Sequence, residues 1–291
     1  MSYIQLELTS DASGVEILSE QLESLGALGV TWVDAFDNPI YEPAPQAHPL
    51  WDQVIVTALF PEQADIETIK NTLQNQLGMI PIGQSHVEDE NWVEKNLIDF
   101  KPIAITPYFW ICPSWHKVNI VDAKVLHLNP GLAFGTGEHP TTQMILKYLI
   151  KHPPIHNTVM DYGCGSGILA LSACILGAKH AYAVDIDPQA LIATHNNAQL
   201  NHIHDDKITI DLPEKLTQIQ VDQLLANIFM VPLLKLHKIF TTLIKPQGEI
   251  LLSGILASQV EQIFITYEED FHLNLVDQQE EWLLLHGTMK K

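Results

Sequence analysis

The sequence predicts two successive folded parts: a small α+β domain of ferredoxin-like pattern, then a larger α/β domain with a mostly parallel sheet. Three observations carry this. Strand and helix signals over the first ninety residues run in the order βαββαβ, the split-βαβ pattern. From about residue 121 apolar strands alternate with helices of roughly ten to fifteen residues, the grammar of a sheet covered on both faces. Between them lies an aromatic, proline-rich stretch, Phe100–Trp115, in which Pro102, Pro107 and Pro113 forbid a long helix. The expected division is 1–88, a linker at 89–120, and 121–291.

In the first part, Tyr3–Leu8 alternates apolar and polar residues and reads as a strand. Val15, Leu18, Leu22 and Leu25 recur at helical spacing, and Gly26 stops the helix. Val30–Phe36 is a strand, Asp37-Asn38-Pro39 a turn, and Pro43 to Pro49 a loop. Gln53–Phe60 is a strand, Gln63–Leu77 a helix ending at Gly78, and Ile80–Val87 a weaker strand. Glu88–Leu97 reads as a short linking helix.

In the second part a glycine-rich loop precedes the helix expected at Thr142–Ile150. Strands are expected at Thr158–Asp161, Ala181–Asp185, Lys207–Asp211, Gln223–Ile228 and Glu249–Ser253. Helices are expected at Ile168–Leu176, Pro188–Gln199, Val231–Leu243 and Ser258–Tyr267. His272–Val276 and Trp282–His286 have no helix between them and should pair as an antiparallel hairpin.

The balance of 46% hydrophobic and 17% charged residues over 291 positions is that of a globular chain. No apolar run approaches the ~18–20 residues that span a bilayer. The N-terminus has no basic region followed by an apolar one, so a cytoplasmic location is expected. Cys112, Cys164 and Cys174 include no C-x-x-C pair, which disfavours a disulfide framework or a cysteine zinc site. The formal net charge is −20, and all fifteen basic residues are lysine. Residues 1–100 hold seventeen acidic side chains against Lys70 and Lys95. Such a domain repels phosphate backbones and attracts basic partners. Direct nucleic-acid binding is not expected.

Ligands of open α/β sheets bind beyond the carboxyl ends of the strands. Three segments fall there. Asp161-Tyr162-Gly163-Cys164-Gly165-Ser166-Gly167 is a G-x-G-x-G turn between strand and helix, preceded by an acid. A dinucleotide loop would read G-x-G-x-x-G. An acid here suits a cationic amino-acid portion better than a pyrophosphate. Asp185 ends the next strand, where a carboxylate can accept from both ribose hydroxyls. Asp187 is the expected cap of the following helix. Asn227, in Ala226-Asn227-Ile228, is an amide able to accept from an amine and donate to a carboxylate, or a capping residue. Together these point to S-adenosylmethionine. Upstream, Asn129 to Thr142 holds three glycines and two prolines; Thr142 either caps a helix or contacts a ligand, and His139 lacks a zinc-ligand spacing.

These segments resemble the bacterial methyltransferases of large-subunit ribosomal protein eleven. The resemblance lies in Trp110-Ile111-Cys112-Pro113-Ser114-Trp115, Pro130 to Gly137 with His139-Pro140-Thr141-Thr142, the Asp161–Ala170 loop, Asp185-Ile186-Asp187-Pro188, Ala226-Asn227-Ile228, Ser253-Gly254-Ile255-Leu256 and Glu281-Trp282. It covers the whole chain. It implies a Rossmann-like, seven-stranded methyltransferase domain behind a ferredoxin-like domain that captures the ribosomal protein. It implies trimethylation of the substrate's N-terminal amine and of lysine side chains. A monomer with no metal is expected. By position the donor contacts are Thr142, Gly163, Asp185 and Asn227, and Asn227 is the candidate for positioning the amine. The departures are Asn129, where Asp is common, Glu138, Phe229 in place of an aliphatic residue, and no arginine near Val93–Asn96. The residues leave open a methyltransferase of another protein or small amine, and a non-catalytic S-adenosylmethionine-binding module.

Overall fold

Alternation of apolar and polar residues puts Ile4, Leu6 and Leu8 of β1 (Ser2–Asp11) on one face, opposite Val54, Val56, Ala58 and Phe60 of β3 (Gln53–Pro61). The computed structural model describes residues 2–36, 38, 40, 49–88, 100–129, 135–216 and 218–290. It divides into two compact units, 1–95 and 96–291.

In the first unit β1 and β3 are joined by β2 (Gly29–Asp34) and β4 (Gly83–Glu88) in an antiparallel sheet of order β2-β3-β1-β4. This is the strand order of a ferredoxin-like fold. Helices α1 (Val15–Ser24) and α2 (Ile66–Leu77) supply Val15, Leu18, Leu22, Ile66, Ile69 and Leu73 to the same core. The second helix begins three residues later than Gln63, because the Asp65 carboxylate accepts from the Thr68 N–H at 3.1 Å and caps it. Gly78 closes it in the left-handed region at φ +68°. The expected turn at Asp37-Asn38-Pro39 (apart from Asn38), the loop before Pro49, and the linking helix after Glu88 lie outside the described residues.

The second unit opens with a small sheet in and beyond the proline-rich stretch, where no strand is expected from the sequence. β5 (Ile103–Thr106) pairs antiparallel with β6 (Phe109–Cys112), which pairs parallel with β7 (Lys124–His127). Each strand is only four residues long and bounded by proline or polar turns, too short for an alternation to register.

The main sheet has seven strands: β8 (Thr158–Tyr162), β9 (His180–Val184), β10 (Ile208–Asp211), β11 (Val221–Asn227), β12 (Ile244–Leu256), β13 (Phe271–Gln279) and β14 (Trp282–Met289). Their order is β10-β9-β8-β11-β12-β14-β13. The pairs among β8 to β12 are parallel, and β14 runs antiparallel to both neighbours. The expected hairpin is therefore present, with its second strand inserted between β12 and β13. The helices are α3 (Pro140–Lys151), α4 (Ile168–Ile175), α5 (Pro188–Leu200), α6 (Met230–Leu243) and α7 (Val260–Tyr267). Val159, Met160, Asp161 and Tyr162 of β8 are all buried, as a strand covered on both faces requires. Strand order reverses direction at β8, so the topological switch point lies between the carboxyl ends of β8 and β11.

Candidate functional site

The glycine loop leaves β8 at Tyr162 and bends back onto its neighbour. The Gly163 and Cys164 N–H groups both donate to the Val184 carbonyl, at 2.7 and 3.0 Å. Gly163 sits at φ +82°, and a Cβ there would lie 2.5 Å from Cγ2 of Ile228. No side chain fits, and the loop backbone is held against the end of β11.

Asp185 holds the middle of the loop. One carboxylate oxygen accepts from the Gly165 N–H at 3.0 Å and the other from the Asp187 N–H at 3.0 Å. Asp187 accepts from the Gln189 N–H at 2.8 Å, the expected cap of α5. The far side of the loop rests on α5. Thr194 donates to the Gly165 carbonyl at 3.1 Å, and the Asn197 amide donates to the Ser166 carbonyl at 2.9 Å. Ser166 donates in turn to the Gly135 carbonyl at 2.6 Å, joining the loop to the upstream glycine segment. Of that segment, residues 130–134 lie outside the described residues.

Thr142 and Asn227 meet. The Asn227 amide donates to the Thr142 hydroxyl at 3.1 Å, across 85 residues of sequence. Neither is a cap. The N-cap of α3 is His139, whose Nδ1 accepts from the Thr141 N–H at 3.4 Å and lies 2.7 Å from the Thr141 hydroxyl. The N-cap of α6 is Phe229. Asn227 is the last residue of β11, with its amide turned to the buried Thr142. His139 also meets Trp282 edge to face, with ring centroids 5.0 Å apart. Burial lowers the His139 pKa, with the Glu280 charge opposing, so the ring is biased toward its neutral form.

Asp161 is 1% exposed. Its Oδ2 accepts from the Ala170 N–H at 3.0 Å, and Oδ1 has no hydrogen-bond partner among the described residues. Desolvation raises its pKa to about 7; the Ala170 N–H opposes this and the nearby Asp185 charge adds to it.

All four positions named from sequence therefore gather at the switch point: Thr142 bonded to Asn227, Gly163 against Ile228, and Asp185 bonded to the loop. The supports from α5 were missed. Thr194 and Asn197 are buried polar residues three apart on one helix face, a signal legible in retrospect because buried polar groups need partners. Asn129 proves to be a joint: its side-chain oxygen accepts from the Ser114 N–H at 2.9 Å, and its own N–H donates to Asn197 at 3.3 Å. An aspartate would serve the first bond equally. Glu138 lends its main-chain carbonyl to the Gln143 amide at 3.1 Å. The position near Val93–Asn96 lies outside the described residues.

Residues 2–290 match the family described as ribosomal protein L11 methyltransferase (PrmA). The chain belongs to this family. It is 42% identical to the ribosomal protein L11 methyltransferase of Acinetobacter baylyi, over 99% of this chain and 98% of that one. It is 40% identical to that of Histophilus somni, over 99% of both. The solved structure of a ribosomal protein L11 methylase from Lactobacillus delbrueckii subsp. bulgaricus is similar at a TM-score of 0.60 and 32% identity, covering 66% of this chain and all of that one. The chain is thus a Rossmann-like methyltransferase whose donor is S-adenosylmethionine, as the G-x-G-x-G spacing indicated. Among the described residues no helix is long and apolar enough to cross a membrane.

Proposed function

We propose that this chain methylates amines of ribosomal protein L11, its N-terminal α-amino group and lysine side chains, with Thr142, Gly163, Asp185 and Asn227 holding the donor. The Thr142–Asn227 hydrogen bond beside the Gly163 turn carries this reading. It ties the first turn of α3 to the end of β11, beside the glycine loop. The site suits a sulfonium amino acid joined to a nucleoside. Ile228 fills the space that a Cβ at Gly163 would take, which keeps the loop backbone close against the strand end. Asp161 Oδ1, buried and without a hydrogen-bond partner among the described residues, is a polar atom suited to a ligand contact. Asp185 stands at the ribose position.

The donor supplies an activated methyl group on a sulfonium. Transfer forms an N–C bond as the C–S bond breaks, and the electron pair stays on sulfur, leaving a neutral thioether. Asn227, held by Thr142, orients the amine for in-line attack, and exclusion of water does the rest. The amine must be neutral. A lysine with pKa ~10.4 is mostly protonated at neutral pH, whereas an α-amino group near ~7.7–8.0 is far easier to deprotonate. Its proton leaves to water.

The acidic first unit, with sixteen carboxylates against Lys70 and Lys95, supports capture of a basic ribosomal protein. Action as a monomer, in the cytoplasm and without direct contact to nucleic acid, belongs to the same reading. Incubation with radiolabelled S-adenosylmethionine and a mixture of ribosomal proteins tests it. Label should appear in L11, on the N-terminal amine and lysines by peptide mapping. Label in another protein, or in none, removes the assignment.

A further inference from the structure

Among the described residues near this site, Phe229 stands outside the packed core. Its neighbours Ile228 and Met230 pack on the core of the seven-stranded sheet, whereas Phe229 is 52% exposed and lies outside that core. It occupies the N-cap of α6 in an extended conformation, φ −60° and ψ 160°, and makes no side-chain cap. An oxygen-bearing residue there would contribute about 0.5–2 kcal/mol to the helix. Its backbone is not loose. Ile228 is wedged between Gly163, where a Cβ would meet its Cγ2 at 2.5 Å, and Gly254, where a Cβ would lie 2.5 Å from its carbonyl oxygen. An aromatic ring is therefore held, half in water, two residues beyond Asn227 at the carboxyl end of β11.

The sheet order gives its side of the site. β9, β8 and β11 are consecutive, so the glycine loop after β8 is flanked by Asp185-Ile186 on one side and Asn227-Ile228-Phe229 on the other. Ile186, 81% exposed, is the apolar residue on the Asp185 flank. With the nucleoside toward Asp185, the methyl group and its acceptor face the Asn227 flank.

We propose that Phe229 contacts the acceptor amine, receiving the incoming ammonium on its ring face and retaining the mono- and dimethylammonium between rounds of transfer. This rests on the reading above that the substrate is an amine. A ring face attracts ammonium, and methylated ammonium sheds its water more readily, which strengthens the attraction. The aliphatic residue that the family resemblance places here has no such quadrupole, so Phe229 tightens a hold that a leucine would make only by contact. Retention on this flank leaves the Asp185 flank open for exchange of spent donor.

The test compares Phe229→Leu, Phe229→Ala and Phe229→Tyr in the full chain. S-adenosylhomocysteine affinity is measured by calorimetry, the KM for L11 by methyl transfer, and the methylation states by intact mass at limiting enzyme. The Leu and Ala variants should keep S-adenosylhomocysteine affinity within about twofold, raise the KM about threefold to tenfold, and release more mono- and dimethylated product. Phe229→Tyr should match wild type. If Phe229→Ala does not fold, the Leu and Tyr variants decide. A Leu variant with wild-type KM and wild-type product distribution overturns the proposal alone. A wild-type protein that methylates no amine of L11 overturns the functional reading and this proposal with it.

Discussion

The two units build their sheets on opposite plans. In the first, β1 and β3 alternate, burying Ile4, Leu6, Leu8, Val54, Val56, Ala58 and Phe60 and turning the residues between them outward. In the second, β8 and β11 are buried almost without interruption. A sheet with one face in the core presents a second, half-exposed face, with Glu7 upon it. A sheet covered on both faces leaves only its strand ends for polar chemistry, and Asp161, Asp185 and Asn227 all sit there. The first plan suits recognition by charge and the second suits a site of fixed geometry. Variants should therefore separate the two.

The largest effect is expected at Asn227. Asn227→Ala removes the bond to Thr142 and should lower turnover on the order of a hundredfold, the cost of a misplaced reactant. Labelled methyl transfer under saturating substrates measures it, and full turnover with unchanged donor affinity would sink the positioning role. Next is Gly163→Ala, which meets Ile228 at 2.5 Å and must adopt φ +82°. It should weaken S-adenosylhomocysteine binding at least about tenfold and destabilise the fold by about 1–3 kcal/mol. Calorimetric titration and thermal unfolding report these separately, and an unaltered affinity would mean that the loop does not approach the ligand.

The third expected effect belongs to the first unit. Raising the salt from 50 to 300 mM, values chosen to take the Debye length from roughly 14 to 6 Å, should raise the KM for L11 about threefold and leave S-adenosylhomocysteine affinity unchanged. A KM indifferent to salt would remove charge capture. The smallest is a pH effect at Asp161. With its pKa raised to about 7 in the folded state from an ordinary 3.8, the folded protein holds a proton that the unfolded chain releases across that window. The stability that Asp161 contributes therefore falls as pH rises from about 4 to 7 and is level above. Asp161→Asn escapes this, so its stability relative to wild type should climb over the same range in denaturant titrations. A difference independent of pH would show that Asp161 is not protonated there.

The two plans also differed in how plainly the sequence announced them. Alternation in β1 and β3, helical spacing in α1, and the capping Asp187 are local signals, and they placed their elements to within a few residues. Three of the four proposed site positions, Gly163, Asp185 and Asn227, were legible because glycine, acid and amide at strand ends are costly unless used; Thr142, a hydroxyl in a helix's first turn, came from the family resemblance. Pairings that join distant segments were not legible. The insertion of β14 between β12 and β13 depends on which edge remains open once five parallel strands have assembled. The bond between Thr142 and Asn227, and the support of Gly165 and Ser166 by Thr194 and Asn197, exist only after folding. Four-residue strands such as β5 to β7 are too short to carry a period.

Helix α5 has a consequence for how this protein can change. Thr194, Asn197 and Asn201 line one face and bond the carbonyls of Gly165 and Ser166, the N–H groups of His127 and Asn129, and the His127 carbonyl. A helix turns about 100° per residue. Inserting or deleting a single residue before position 194 would swing all three side chains away together, while substitutions on the opposite face would be tolerated. Length is therefore frozen in this helix where composition is not, and lineages descending from this chain should vary α5 by replacement and never by indel.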